Sequence, residues 1–92
     1  MRLFALLVAS VVCAVAQAAP VVIVTAQDHA TIIARRGALI HSGCSQTEGI
    51  GTGNTPEQAR RNCCFFGKRQ IVEEGVAYSP ITRRWYAVIR YR

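Results

Sequence analysis

Three alternating glycines, Gly49, Gly51 and Gly53, run directly into Thr55-Pro56-Glu57-Gln58, and this junction constrains the fold more than any other stretch. Alternate residues of a strand share one face. The glycines therefore present a face without side chains, against which another backbone can lie closely. Thr55 is a good N-cap, Pro56 suits the first helical position, Glu57 places negative charge in the first turn, and Gln58 completes a capping box. Gly67 followed by Lys68 and Arg69 is an ordinary stop. The expectation is a strand leading into a helix of about three turns over residues 55–67. At roughly 100° per residue, Ala59, Cys63 and Phe66 form its inner face. The glycine spacing matches neither dinucleotide-binding nor P-loop patterns, so these glycines are assigned to packing.

The first 18 residues have the pattern of a secretory signal peptide. Arg2 is followed by an apolar run over residues 3–15, interrupted only by Ser10, and Ala16-Gln17-Ala18 is an A-x-A cleavage site. The run is short for a membrane span, and no transmembrane segment is expected after processing. Removal of residues 1–18 from the 92-residue chain leaves residues 19–92, with ten basic and five acidic side chains. A chain of this size makes one thin-cored domain that often relies on disulfides or partners. The expected location is exported, either periplasmic or extracellular.

Residues 21–26 are β-branched and suit a short strand. Residues 28–37 are ambiguous: Asp28 as cap and Gly37 as stop suit a helix, whereas Thr31-Ile32-Ile33 favours a strand, and strand is given the edge. Residues 70–78 and 83–92 form a β-hairpin with Ser79-Pro80-Ile81-Thr82 at its turn. In its last strand Trp85, Ala87, Ile89 and Tyr91 make a core face, and Arg84, Tyr86, Val88, Arg90 and Arg92 a basic and aromatic one. That strand is a candidate sheet edge, and Gly75 suggests a bulge or twist in the strand before it. The fold class is α+β: one helix packed on a mainly antiparallel sheet, in a β-α-β-β core.

Three cysteines follow the signal segment. Cys44 is expected to pair with Cys64, at the edge of the helix face, with Cys63 as the alternative partner. His41, Cys44, Cys63 and Cys64 are the best available metal-thiolate set, but adjacent cysteines chelate poorly beside C-x-x-C or H-x-x-x-H pairs. No metal or cofactor is expected. The histidines, His29 and His41, come with no evident acid partner, and Glu48, Glu57, Glu73 and Glu74 suggest no acid/base pair. The chain is therefore taken as non-enzymatic.

The formal net charge of +6 suits an anionic partner. Arg60, Arg61, Arg84, Arg90 and Arg92, with Tyr86, are the anion-binding candidates. Gly-x-Gly-x-Thr before an Ala-bearing helix resembles double-stranded RNA-binding domains over about ten residues, without their lysine cluster, and nucleic acid is not expected. Gln70-Ile71-Val72-Glu73-Glu74-Gly75 resembles the Gln-x-Val-x-Gly of cystatin-type inhibitors, with its glycine one residue late and away from the hairpin turn. No family is assigned on either. The leading expectation is an exported binding or accessory module for another protein or an anionic envelope component, stapled by a disulfide. The alternatives are a cationic effector acting on anionic lipid or polysaccharide, and a metal-thiolate protein.

Overall fold

A computed structural model describes residues 23–92. The signal-peptide assignment and the start of the strand expected over residues 21–26 lie outside them. The elements, in chain order, are α1 (Ala26–Arg36), β1 (Thr47–Gly53), α2 (Pro56–Arg61), β2 (Ile71–Ser79) and β3 (Arg84–Tyr91). The strands form one antiparallel sheet in the order β1-β3-β2. The last strand is thus the centre of the sheet, and β1 and β2 are its edges. The class is α+β.

Residues 26–36 are helical, contrary to the strand favoured for residues 28–37. Local capping and tertiary packing outweigh the β-branched Thr31-Ile32-Ile33. The Thr25 hydroxyl accepts from the Asp28 N–H at 3.0 Å, and the Asp28 carboxylate accepts from the Thr25 N–H at 3.0 Å. Thr25 is therefore the cap, with Asp28 closing the box from three residues further on. Gly37 ends the helix in the left-handed region at φ 65°. The inner face carries Ala26, His29, Ala30, Ile33 and Ala34 at helical spacing. Residues 23 and 24 are not in a strand; they lead into the Thr25 cap.

The sheet lies between the two helices. On one face, α1 packs Ala26, Ala30, Ile33 and Ala34 on Tyr86 and Val88, with Ile50 and Ala77 alongside. On the other, Ala59 and Cys63 pack on Ala87, Ile89 and Tyr91, with Phe66, Ile71, Val76 and Trp85 around them. Trp85, Ala87, Ile89 and Tyr91 do face a core. The opposite set does not form an exposed basic and aromatic face: Tyr86, Val88 and Arg90 are buried, because α1 covers them.

Backbone contact sets the helix-to-sheet spacing. A Cβ at Gly51 would stand 2.6 Å from the Ala59 carbonyl oxygen, and one at Gly53 2.8 Å from the Ala59 nitrogen. On the other face, a Cβ at Gly75 would stand 2.6 Å from the Gln27 nitrogen. Gly75 thus admits the start of α1; the register shift in β2 lies between Ile71 and Glu73 instead.

Helix α2 is shorter than the expected three turns. Arg61 is its last residue, and Asn62 caps it. The following residues, Asn-Cys-Cys-Phe-Phe, are weak helix formers. The chain continues to Gly67 in turns, with Phe65 at φ 66°.

The free edge of β2 is partly closed. Gln27 donates from Nε2 to the Val76 carbonyl at 2.8 Å, and its Oε1 accepts from the Val76 N–H at 3.1 Å. The carboxamide takes the position a neighbouring strand would occupy.

Two substitutions test the glycine contacts. Gly51→Ala and Gly75→Ala should each lower unfolding stability by about 1–3 kcal/mol or more, measured by urea denaturation. The exposed Ser45→Ala should change it by less than about 0.5 kcal/mol.

Candidate functional site

The most concentrated polar chemistry lies under α1, at the end of the sheet where β1 begins. Glu48 alternates with Gly49, so its side chain falls on the α1 face. It is only 4 % exposed there. The Ser42 hydroxyl and backbone N–H donate to its two oxygens at 2.8 and 3.0 Å. His41 Nδ1 donates to Oε1 at 2.9 Å. His29 Nδ1 stands 3.3 Å from Oε2, and Arg90 Nε 4.0 Å from it. The Cys44 thiol points at Oε2 from 3.7 Å.

His29 enters this cluster from the inner face of α1. Its Nε2 lies against the Ile40 carbonyl, which only accepts, so Nε2 carries a hydrogen. Its Nδ1 faces Oε2 without hydrogen-bond geometry. Arg90 donates to the Val24 carbonyl at 2.9 Å and to Glu73 Oε1 at 3.1 Å. Glu73 Oε2 accepts from the Ala26 N–H at 2.9 Å, in the first turn of α1. The network joins α1, all three strands and the connection before β1.

Burial pushes the Glu48 carboxyl up, but the Ser42 N–H and hydroxyl, His41 and the nearby His29 outweigh it and hold the group at about 2. A buried acid with so many donors is a structural anion: the segment from Ile40 to Cys44 is held through it and through His29. Ser42 gives its hydroxyl proton to Glu48 rather than to an imidazole, which is not the arrangement of an activated nucleophile.

The sheet separates the cysteines. The Cys44 thiol turns toward Glu48 on the α1 side. The Cys63 thiol donates to the Ala59 and Ala87 carbonyls at 3.5 and 3.6 Å on the α2 side. Cys44, Cys63 and Cys64 are all free thiols, so neither the Cys44–Cys64 nor the Cys44–Cys63 bridge is formed. The same separation divides the metal-thiolate set, with His41 and Cys44 on one face and Cys63 and Cys64 on the other. No group of three or more His, Cys, Asp or Glu side chains able to hold a metal occurs among the described residues. Burial pushes the Cys63 thiol up to about 12.

The anion-binding candidates are not brought together. Arg60 donates to Glu57 at 2.8 Å and Glu74 at 2.6 Å, and its guanidinium lies over the Phe66 ring. Arg61 pairs with Glu57 at 3.2 Å. Arg90 and Tyr86 are buried under α1. Arg84 donates to Thr52 and Asn54 at 3.3 and 3.1 Å. Arg92 is exposed at the far end of β3.

All five acidic residues of the chain are engaged internally: Asp28 in the α1 cap, Glu48 and Glu73 beneath α1, and Glu57 and Glu74 on Arg60 and Arg61. Arg35, Arg36, Lys68, Arg69 and Arg83 consequently stand exposed with no acidic partner among the described residues. Which cations are neutralised depends on contacts between residues distant in the chain, so the sequence alone does not separate these five from Arg60, Arg61 and Arg90.

No protein-family model matches the chain, and no curated protein or solved structure matches it significantly.

The depressed Glu48 carboxyl gives a signed pH dependence. Its contribution, on the order of 3 kcal/mol, is complete above the ordinary carboxyl range near 4.5 and is lost as the pH falls toward 2. Denaturant melts across pH 2–7 should show this acid limb, and Glu48→Gln should flatten it while lowering stability at neutral pH. Thiol alkylation of the native reduced protein should modify Cys64 rapidly and Cys63 only on unfolding, as read by peptide mass.

Proposed function

We propose that this protein is a small exported, non-enzymatic binding or accessory module that engages an anionic envelope component or an acidic face of another protein. The observation that carries the reading is the distribution of charge. Every acidic side chain is engaged by a partner within the chain, Glu48 and Glu73 beneath α1 and Asp28, Glu57 and Glu74 at the surface. Arg35, Arg36, Lys68, Arg69 and Arg83 stand exposed without acidic partners among the described residues. Such a surface attracts polyanions from a distance and binds them in a salt-dependent way. The non-enzymatic part is supported by the internal use of Glu48 and Ser42 and by the burial of Cys63. Export is supported by the N-terminal residues, whose A-x-A pattern ends at Ala18.

Two measurements test the reading. Intact mass of the protein recovered outside the cytoplasm should show loss of residues 1–18. Calorimetric titration with a soluble anionic polymer, such as teichoic acid freed of its lipid or a glycosaminoglycan, should show binding that weakens steeply between low and physiological salt. Retention of the N-terminus together with no polymer or protein binding at low salt would refute it.

A further inference from the structure

We infer that the end of the molecule formed by the C-terminus of α1 and the β2–β3 turn is a docking surface for an anionic lipid bilayer. The inference deepens the proposed function, on which it rests, by naming the partner and the residues that meet it.

The two segments touch. A Cβ at Gly37, the cap of α1, would stand 3.0 Å from the Thr82 methyl and 3.4 Å from Ile81 Cγ2. This contact brings Arg35 and Arg36, in the last turn of α1, to the same end as Arg83. All three are exposed, and no acidic side chain pairs with them among the described residues. Ile81, beside the Gly37 cap, is 66 % exposed, and Leu39, two residues past the cap, is 46 % exposed.

Aromatic residues flank the turn in β2 and β3, on the α2 face of the sheet. Tyr78, 47 % exposed, packs edge-on against Trp85 with ring centroids 5.5 Å apart. An apolar tip, flanking cations and amphipathic aromatic rings beside the turn suit the succession of acyl chain, anionic headgroup and interface. A purely polyanionic polymer would use the cations and leave Ile81 and Leu39 without a role, which is why the bilayer is chosen.

Arg83 adds a separate argument. It sits at φ 59°, in the left-handed region where glycine or asparagine is the easier choice, and its N–H donates to the Ser79 carbonyl at 2.8 Å. The turn thus carries a cation where the backbone favours a residue without one. Strain retained at an exposed position points to a function for its side chain.

The test uses the processed protein and vesicles of phosphatidylcholine with or without phosphatidylglycerol. Fluorescence of Trp85, the sole tryptophan, and cosedimentation serve as readouts. Binding is expected only to the anionic vesicles, with a blue shift and loss at high salt. At about fivefold per surface charge, the triple variant Arg35→Gln, Arg36→Gln, Arg83→Gln should bind about a hundredfold more weakly. Ile81→Ser should weaken binding about tenfold. Arg83→Gly removes the backbone strain, so it should keep or improve thermal stability while losing about fivefold in affinity. Absence of vesicle binding, or undiminished binding by the triple variant with its circular dichroism intact, would overturn the inference. A soluble anionic polymer titrated in parallel separates the two levels. Polymer binding without vesicle binding defeats the bilayer assignment alone, whereas binding to neither, and to no protein partner, defeats the proposed function as well.

Discussion

Main-chain contact between helix and strand sets the dimensions of this molecule. Where a side chain would stand between them, Gly51 and Gly53 let α2 lie on β1, and Gly75 lets the first turn of α1 lie on β2. Without large side chains as spacers, a short chain brings two helices onto opposite faces of a three-stranded sheet and buries β3 from both sides. Ala26, Ala30 and Ala34 continue the same logic along α1, as Ala59 does on α2. The core is thin and built largely of small groups.

The polar interior follows from that closeness. With α1 seated on the sheet, Arg90 is carried under it beside His29, and a buried guanidinium requires anionic partners. Glu48 and Glu73 supply them, and both also fix backbone: Glu48 holds Ser42, and Glu73 accepts from the first turn of α1. Drawing these carboxylates inward, with Glu57 and Glu74 held by Arg60 and Arg61, leaves the exposed ends of the protein cationic. The internal electrostatics and the proposed affinity for anionic surfaces thus have one origin.

Several elements were legible in the sequence because their signals are local. The Thr55-Pro56 start of α2, the glycine face of β1, the β2–β3 turn and the core face of Trp85, Ala87, Ile89 and Tyr91 all follow from neighbours along the chain. α1 was obscured by Thr31-Ile32-Ile33, whose β preference yields to the Thr25–Asp28 capping box and the packing of its alanine face. The same gap misplaced Tyr86 and Arg90, since their face is covered only if residues 26–36 are helical. The Cys44 pairing failed for a related reason: sequence proximity of a strand and helix says nothing about which face of the sheet each thiol takes. The polar cluster draws His29, Ser42, Glu48, Glu73 and Arg90 from five separate segments, and no spacing rule links them.

Native-state hydrogen exchange most directly tests whether α1 is clamped to the sheet through Gly75 and the buried Glu48 network. Amides of Ala30, Ile33 and Ala34 in α1 should exchange with the same opening free energy as those of Val88 and Ile89 in β3, because neither element can open without exposing the other's core. α1 amides that exchange orders of magnitude faster than β3, as in a helix only loosely docked on the sheet, would contradict it.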